Sequence, residues 1–268
     1  MFKIALCQTK VYKDKDRNLK NAMEKISIAS SAGAKIISLP EMFTCPYAGE
    51  NFRAYGETED DSKTLSALKE LCLEKNIYLI AGSIPELENE NVYNTSYIIN
   101  ARGEIINKYR KIHLFDINIK NSIKFSESEI ISRGNEVIVI ETEFCKIGIC
   151  ICYDIRFPEL IRNIALRGAK IIFVPAAFSK TTGTPHWELL FRARAVDNQV
   201  YMAGISPARE CEGTYKPFGN SIIVNPWGEV ISKAGEADEI IYADIDLGYL
   251  DKVRKELPVF KHRRPELY

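Results

Sequence analysis

Short apolar runs of strand length alternate along this chain with amphipathic stretches of helical length, and turn-forming residues interrupt that alternation. The run 3–8 precedes a helix predicted over 16–32, where Leu19, Met23 and Ile26 recur at helical spacing. Uninterrupted alternation would produce a parallel sheet, whereas hairpins add antiparallel strand pairs. The chain is therefore predicted to be an α/β protein with mixed sheets covered by helices.

The remaining predicted elements continue this pattern. The turn signal Asn-Ala-Arg-Gly at 100–103 predicts a hairpin between strands 92–100 and 104–108. The chain contains no fixed-period repeat and no low-complexity linker, so we expect a single domain over residues 1–268. Further helices are predicted over 63–75, 156–167 and 185–198, and further strands over 35–40, 78–84, 136–141, 146–152, 170–174, 200–205, 221–224, 229–231 and 239–245.

The charge balance and the apolar run lengths exclude some classes of partner. Lys+Arg and Asp+Glu both number 36, so the chain lacks the basic excess of a duplex-binding domain, and we expect no nucleic-acid partner. The longest apolar runs are far shorter than the ~20 residues that cross a bilayer, and no signal-peptide pattern is present. We therefore expect no membrane partner and a cytoplasmic location.

The cysteines and histidines give no indication of a disulfide framework or a metal site. The chain has seven cysteines, an odd number, and no secretion signal, which predicts reduced thiols. The three histidines are far apart, and neither a CxxC pair nor an HxxxH pair occurs. We therefore expect no bound metal.

Two charged residues lie where a site could form. Glu41 comes directly after a buried strand, the position at which open α/β sheets place their sites. Lys111 belongs to the basic cluster 109–113 at the end of the predicted hairpin. On position alone, a surface or capping carboxylate and a solvated charge cluster are the simpler interpretations of these residues.

The segment 148–159 is more informative. Residues 147–151 are predicted to form a buried strand, and Pro158 suits the first turn of a helix, so Cys152 lies at a strand-to-helix turn. The N–H groups and dipole at a helix N-terminus lower the pKa of a thiol. The alternative is that Cys152 is an ordinary buried residue, as is expected for Cys150 within the strand.

The three residue types together suggest nucleophilic chemistry. A free thiol has a pKa of about 8.5 and needs a base or a nearby cation to react at neutral pH. With no histidine in a suggestive motif, a carboxylate is the natural candidate for that base. A lysine can then stabilise the oxyanion that forms when a thiolate attacks a carbonyl group.

Three segments resemble the signature sequences of the nitrilase superfamily of carbon–nitrogen hydrolases. These are 39–43 (LPEMF), 109–115 (YRKIHLF) and 149–159 (ICICYDIRFPE), and the likeness extends over nearly the whole chain. The resemblance implies a four-layer α-β-β-α sandwich with mixed sheets. It also implies a homodimer and a hydrolase that requires no cofactor.

Other segments are similar to the omega-amidase group of that superfamily. They lie at 181–188, 194–201, 206–209 and 225–229. This similarity implies hydrolysis of the terminal amide of 2-oxoglutaramate or 2-oxosuccinamate to the acid and ammonia. Several of the segments also resemble deaminated-glutathione amidases, and a related N-carbamoyl amine amidohydrolase is a further alternative, but 195–199 followed by 206–209 favours omega-amidase.

The resemblance also implies catalytic roles for four residues. Cys152 matches the nucleophile that forms a thioester, and Glu41 matches the base that takes the thiol proton, protonates the leaving ammonia and activates water. Lys111 matches the oxyanion stabiliser, with help from the backbone N–H of Tyr153. Glu127 matches a second glutamate that orients the lysine and the substrate, although a solvated loop carboxylate is the plain alternative.

Substrate-binding residues are implied in the same way. A dicarboxylic monoamide retains one carboxylate, which a bidentate cation recognises. Arg156 matches the arginine that binds this carboxylate, although a helix-surface ion pair is its simpler interpretation. Tyr47, Phe178 and Thr182 match residues of the pocket, as does Tyr153.

Two hypotheses of other classes remain open at this point. A non-catalytic interaction protein on the same fold would have an unreactive Cys152. A papain-like cysteine hydrolase would instead need a histidine base, for which His113 and His186 are the candidates.

Overall fold

A computed structural model describes residues 1–120 and 124–267 of the chain. The strands and helices predicted from periodicity are present in this structure, with shifts at some boundaries. The strands are β1 (Phe2–Gln8), β2 (Ala34–Ser38), β3 (Tyr78–Ile80), β4 (Ile84–Glu88), β5 (Asn91–Ile99), β6 (Ile105–Arg110), β7 (Asp116–Asn118), β8 (Lys124–Ser126), β9 (Val139–Glu141), β10 (Lys146–Ile149), β11 (Ile171–Pro175), β12 (Tyr201–Ile205), β13 (Ile222–Val224), β14 (Val230–Lys233) and β15 (Glu239–Ile245). The helices are α1 (Lys15–Ser31), α2 (Gly49–Ala54), α3 (Lys63–Lys75), α4 (Pro158–Leu166), α5 (Lys180–Asn198) and α6 (Leu247–Glu256), with 3₁₀ turns at Glu127–Glu129, Cys152–Arg156 and Pro265–Leu267.

The first large sheet has the strand order β15-β1-β2-β3-β5-β4, with β6 paired to β5. Strands β1, β2 and β3 are parallel, and the outer pairs are antiparallel. In β1, Ala5 and Cys7 face the apolar sides of α1 and α3, whereas Ile4 and Leu6 face the second sheet. The sheet is thus buried on both faces, which explains its nearly continuous apolar strands.

The second large sheet has the order β14-β13-β12-β11-β10-β9, with β10, β11 and β12 parallel. Helices α4 and α5 pack closely on its outer face, and two glycines permit that approach. A Cβ at Gly148 would lie 2.1 Å from Ile164 Cγ2, and one at Gly204 would lie 2.3 Å from Phe191 Cζ. Replacing either hydrogen with a methyl group would therefore push a helix away from the sheet.

These contacts define the layer order of the fold. One apolar cluster joins α1 and α3 to the first sheet, and another joins the inner faces of both sheets to α4 and α5. The layers therefore run helix, sheet, sheet, helix, which confirms the predicted four-layer α-β-β-α sandwich with mixed sheets.

Some predicted boundaries are wrong for identifiable local reasons. The strand predicted over 78–84 ends at Ile80, because Gly82 adopts φ +54° and turns the chain before β4. Helix α5 begins at Lys180 rather than at Pro185, since Gly183 N donates to Ser179 O (2.7 Å) and forms a helical turn ahead of the proline. The strand predicted to reach Cys152 ends at Ile149.

The helices α2 and α6 were not predicted. Helix α6 occupies part of what periodicity suggested was only a charged tail. Its signal is present in the sequence, because Asp246 caps the helix by accepting from Gly248 N and Tyr249 N, and Leu250 and Val253 are buried at i and i+3. In the described part of the chain, no helix combines the length and apolarity required to cross a membrane.

Candidate active site

The three residues proposed for chemistry come from segments of both sheets. Glu41 follows β2 and Lys111 follows β6, and both strands belong to the first sheet. Cys152 follows β10 of the second sheet. Lys111 N donates to Asn94 O (2.9 Å), and Gly134 N donates to Lys111 O (2.8 Å), so the backbone of this lysine is fixed on both sides.

The turn at Cys152 has an uncommon backbone conformation. Cys152 adopts φ +48°, a region that non-glycine residues rarely occupy, and begins the 3₁₀ turn that leads into α4. Pro158 lies in the first turn of α4, as predicted. A strained conformation of this kind persists only where the surrounding structure enforces it, and such positions concentrate at functional sites.

Lys111 lies between two carboxylates. Its Nζ is 3.0 Å from Glu41 Oε1, and 3.0 and 2.8 Å from the two oxygens of Glu127. All three side chains are fully buried. Burial lowers the pKa of Lys111, but the negative charges of Glu127 and Glu41 outweigh it, and the resulting pKa lies well above the ordinary lysine value. The lysine is therefore a fixed ammonium ion.

The two oxygens of Glu41 have different surroundings. Oε1 accepts hydrogen bonds from Lys111 Nζ and from Asn94 Nδ2 (2.8 Å). Oε2 accepts none from the described residues, which leaves it available for a proton. Burial raises the pKa of Glu41, Lys111 opposes that shift, and the charge of Glu127 adds to it. A carboxylate with a raised pKa is better suited to accept and return a proton near neutral pH.

The expectation of a lowered thiol pKa at Cys152 is wrong. Burial raises the pKa of Cys152 well above its ordinary value, and the negative charge of Glu41 raises it further. Lys111 and the backbone at Ala177 lower the pKa but do not offset these effects. The thiol therefore keeps its proton, and Glu41 is the neighbouring carboxylate that could remove it.

Glu127 is not a solvated loop carboxylate. It lies at the start of a 3₁₀ turn after the β7–β8 hairpin and is completely buried. Besides its bonds to Lys111, it accepts from Phe115 N (2.7 Å) and from the hydroxyl of Tyr47 (3.3 Å). Glu127 thus connects the lysine to Tyr47, one of the predicted pocket residues.

Aromatic side chains form a wall beside these charges. The ring centroid of Tyr47 is 5.0 Å from that of Tyr215 and 5.9 Å from that of Phe125. A narrow cleft reaches Glu41 and is lined in part by Tyr47 and Tyr215. The hydroxyl of Tyr215 donates to Ala177 O. Burial raises the pKa of Tyr215, and the negative charge of Glu41 adds to that shift, so this hydroxyl stays protonated.

A second group of residues surrounds Arg156. Its guanidinium carbon lies 5.1 Å from the ring centroid of Phe178 and 5.7 Å from that of Tyr153. Both terminal nitrogens lie 3.4 Å from His186 Nδ1. Thr182 is buried on α5, four residues before His186 and hence on the same side of that helix. The arrangement is a half-buried cation held by aromatic rings rather than a helix-surface ion pair.

The histidines have other partners than the candidate nucleophile. His113 Nδ1 donates to Asp154 Oδ1 (2.8 Å), and its ring stacks on Phe157 at 3.6 Å. His186 lies against Arg156. Neither ring forms a hydrogen bond with Cys152 within the described residues, and a histidine-based mechanism therefore lacks a base. The described ranges also contain no group of three or more His, Cys, Asp or Glu side chains that could hold a metal ion.

Residue patterns gave no site role to Asn94, Tyr215 or Asp154, and they suggested His186 only as a possible base. Asn94 orients Glu41, Tyr215 lies in a loop without secondary structure, and His186 faces Arg156. Asp154 lies in the turn that Cys152 begins, but it also accepts hydrogen bonds from Tyr109 and His113 of another segment of the chain. None of these contacts has a local signal in the sequence, because each joins residues at least 30 positions apart.

Comparison with known proteins places the chain in a family. The family model described as carbon-nitrogen hydrolase matches residues 3–255. Omega-amidase NIT2 of Homo sapiens is 46% identical over 267 residues, with 100% of this chain and 96% of the human protein covered. The chain belongs to the carbon–nitrogen hydrolase family. It is therefore an enzyme that hydrolyses carbon–nitrogen bonds other than peptide bonds.

Solved structures of carbon–nitrogen hydrolases have the same fold. The crystal structure of Saccharomyces cerevisiae Nit3, a member of branch 10 of the nitrilase superfamily, is 40% identical with a TM-score of 0.90, and 98% of this chain and 96% of that chain are covered. An amidase mutant from Nesterenkonia sp. AN1 is 27% identical with a TM-score of 0.81, covering 96% and 98%. In that amidase, acrylamide has added to the active site cysteine.

Proposed function

We propose that this carbon–nitrogen hydrolase is an omega-amidase, which converts the terminal amide of 2-oxoglutaramate or 2-oxosuccinamate to a carboxylate and ammonia. The full-length similarity to human omega-amidase supports this substrate class. The observation that best supports amide hydrolysis is the position of the buried Lys111 ammonium, 3.0 Å from the Glu41 carboxylate. The second oxygen of Glu41 has no hydrogen-bond donor among the described residues.

The proposed reaction begins with proton transfer within the site. Glu41 Oε2 removes the proton from Cys152 Sγ as substrate binds. The thiolate attacks the amide carbon, and the resulting oxyanion is stabilised by Lys111 Nζ and by the backbone N–H of Tyr153. Glu41 then protonates the departing nitrogen, so that the C–N bond breaks, ammonia leaves and a thioester to Cys152 remains.

The second half of the reaction releases the acid. Glu41 removes a proton from water, and the resulting nucleophile attacks the thioester carbon. The oxyanion forms again at Lys111, the C–S bond breaks, and the proton returns to Cys152 Sγ. Glu127 holds Lys111 through both halves, since it contacts the ammonium with both carboxylate oxygens.

The substrate would be oriented by its free carboxylate. Arg156 is the half-buried cation proposed to bind it, with Phe178 and Tyr153 on its sides. A charge-assisted, bidentate contact favours a substrate with one carboxylate over a neutral amide. Tyr47 and Thr182 are proposed to line the remaining pocket.

The substrate class can be tested by ammonia release from a panel of compounds. The panel contains 2-oxoglutaramate, 2-oxosuccinamate, deaminated glutathione, an N-carbamoyl amine and butyramide, a neutral amide. We expect the highest kcat/KM for the two 2-oxo acid monoamides. A higher value for deaminated glutathione or for the carbamoyl amine would overturn the omega-amidase assignment while leaving the hydrolase family intact.

The catalytic assignment can be tested with two neighbouring cysteines. Cys152→Ala is expected to abolish ammonia release, whereas Cys150→Ala, at a buried strand-end position two residues earlier, is expected to retain it. Far-UV circular dichroism and a thermal melt would establish that both variants fold. Undiminished turnover by folded Cys152→Ala would contradict the thioester mechanism.

We further propose that the chain acts as a single-domain homodimer in the cytoplasm. Large apolar side chains are exposed beside α5, namely Leu189 (65%), Val196 (46%) and Trp227 (52%). Contiguous exposed apolar groups of this kind often mark protein interfaces. Sedimentation of the full chain should give the mass of two copies, and Trp227→Glu should shift it towards one.

A further inference from the structure

A buried carboxylate joins the two segments that carry Lys111 and Cys152. Four hydrogen bonds from described residues converge on the side chain of Asp154, which is fully buried. Oδ2 accepts from the hydroxyl of Tyr109 (2.7 Å) and from Ile151 N (2.9 Å). Oδ1 accepts from the backbone N–H of His113 (2.9 Å) and from its Nδ1 (2.8 Å).

The positions of these donors along the chain are informative. Tyr109 and His113 are two residues before and two residues after Lys111. Ile151 immediately precedes Cys152, and Asp154 follows it by two residues. The carboxylate therefore contacts the lysine segment on both sides of Lys111 and the cysteine turn on its N-terminal side.

These two segments leave different sheets. The lysine segment begins in the last residues of β6 in the first sheet, and the cysteine turn follows β10 of the second. The two sheets contact each other through apolar side chains, and apolar packing is not directional. Hydrogen bonds to a single buried carboxylate are directional, so they can fix the relative position of the two chain segments more closely.

We propose that Asp154 is a positioning residue that sets the placement of Cys152 relative to Lys111. This proposal rests on the proposed function, because it assumes that Cys152 and Lys111 cooperate in catalysis. In the proposed mechanism, Asp154 contacts neither the substrate nor the reacting atoms. Its effect is exerted through Tyr109, Ile151 and His113.

Two properties suit Asp154 to this role. Burial and the charge of Asp154 raise the pKa of Tyr109 well above the ordinary tyrosine value, so the phenol remains a donor. Two of the four donors are backbone N–H groups, which cannot turn away when the carboxylate changes. An amide at position 154 would present its own N–H groups to some of these donors and leave them unsatisfied.

The test compares Asp154→Asn with Glu57→Gln in the full chain. Glu57 is another carboxylate with several donors, since it accepts from Ser62 Oγ and from the N–H and hydroxyl of Thr64, and it lies outside the site. Melting temperature, kcat and KM for 2-oxoglutaramate, and the rate of Cys152 alkylation by iodoacetamide, followed by peptide mass mapping, are measured for both variants.

Positioning predicts a specific pattern of results. Asp154→Asn should lower kcat by at least about tenfold with KM within about twofold, and should slow Cys152 alkylation, at temperatures where it is folded. Glu57→Gln should lose thermal stability without these kinetic changes. Folded Asp154→Asn with unchanged kcat and unchanged alkylation would overturn the proposal. Because the thiolate displaces iodide and no amide bond is hydrolysed, this readout is independent of whether the proposed substrate is correct.

Two milder substitutions test the proposal if Asp154→Asn does not fold. Tyr109→Phe and His113→Phe each remove one side-chain donor and leave the carboxylate in place. Each should reduce kcat and alkylation in the same direction, by less than Asp154→Asn. If both variants retain the wild-type values of kcat and alkylation, Asp154 contributes only to stability and the proposal is wrong.

Discussion

Lys111 Nζ lies 2.8 Å from Glu127 Oε2 and 3.0 Å from Glu41 Oε1, and no side chain of this trio is exposed to solvent. Two buried carboxylates around one buried ammonium leave a net negative charge of about one, since only one of them is neutralised. An uptake of one proton by Glu41 would complete the neutralisation. The same imbalance makes Glu41 a base for the thiol.

Removing the ammonium should abolish activity and weaken the fold. Lys111→Met leaves Glu41 and Glu127 buried without their counter-ion, which typically costs about 3–5 kcal/mol of unfolding free energy. Loss of the oxyanion stabiliser should lower kcat by at least about 10²-fold. Urea unfolding and ammonia release measure the two effects, and Lys170→Met, which removes a partly exposed ion pair to Asp251, is the control. Wild-type kcat in Lys111→Met would contradict the assigned role.

Glu127 should matter for rate more than for substrate binding. Glu127→Gln keeps the size of the side chain but weakens its hold on Lys111 and on Phe115 N. We expect kcat to fall by about 10- to 100-fold, because the lysine is held less closely at the oxyanion. Steady-state kinetics checks this, with Glu129→Gln on the same 3₁₀ turn as the control. Equal effects of the two substitutions would show that Glu127 has no special role.

Arg156 should discriminate between charged and neutral amides. Arg156→Met removes the proposed carboxylate partner and should raise KM for 2-oxoglutaramate by about 10- to 100-fold, equivalent to about 1.4–2.8 kcal/mol. The kcat/KM for butyramide should change little. Kinetics with both substrates measures the ratio. A parallel loss for the neutral amide would mean that Arg156 supports the fold rather than the carboxylate.

Stability at acid pH should depend on Glu86. Its pKa is lowered to about 2: burial opposes the shift, but hydrogen bonds from Arg110, Lys108 and Thr95 outweigh burial. Because the folded pKa lies below the unfolded value of 4.5, the stabilisation is complete above pH 4.5 and is lost as pH falls towards 2. Lys108 is partly exposed, and solvent screens its charge. We therefore expect the lowered pKa of Glu86 to contribute about 2 kcal/mol to the free energy of unfolding above pH 4.5.

Unfolding of wild type and Glu86→Gln at several pH values tests this linkage. The difference in unfolding free energy should be constant from pH 7 to about pH 5 and should shrink below pH 4.5. A difference that does not change between pH 6 and about pH 2.5 would show that the pKa of Glu86 is not lowered in the folded state.

The turn at Gly82 should support the segment that carries Glu41. Gly82 adopts φ +54°, and an added Cβ would lie 2.1 Å from Pro40 O, in the peptide just before Glu41. Gly82→Ala should destabilise the fold by about 2–4 kcal/mol and should also lower kcat, because Pro40 must move. Gly33→Ala, where φ is also positive but no atom lies within 4 Å, separates backbone strain from the clash. Equal effects on kcat in both variants would exclude the proposed link to Glu41.

Much of the fold follows from the sequence because its determinants are local. The apolar stripe of α1, the turn at 100–103 and the early proline of α4 each act within a few residues. The strand break at Gly82 was missed because it depends on the close approach of Pro40, which lies about 40 residues earlier in the segment after β2. Helix α2 was missed because it is only six residues long, too short for a periodic pattern.

In the candidate site, too, features with local determinants could be predicted and those that depend on distant contacts could not. The segments around Glu41, Lys111 and Cys152 could be selected from sequence, and the structure places them around one buried cluster. The raised pKa of Cys152 could not be predicted, because it depends on complete burial beside Glu41 and not on the local helix N-terminus. The contacts of Asp154 likewise join segments about 40 residues apart, and sequence spacing carries no signal for them.

The thioester to Cys152 can be detected directly by intact-protein mass spectrometry during turnover. Wild-type protein mixed with 2-oxoglutaramate and quenched in acid should gain the mass of the acyl group, and peptide mapping should place it on Cys152. The adduct should be absent in Cys152→Ala and should decay with release of the acid in wild type. Steady ammonia release without any adduct on Cys152, together with persistent turnover in Cys152→Ala, would contradict the thioester mechanism.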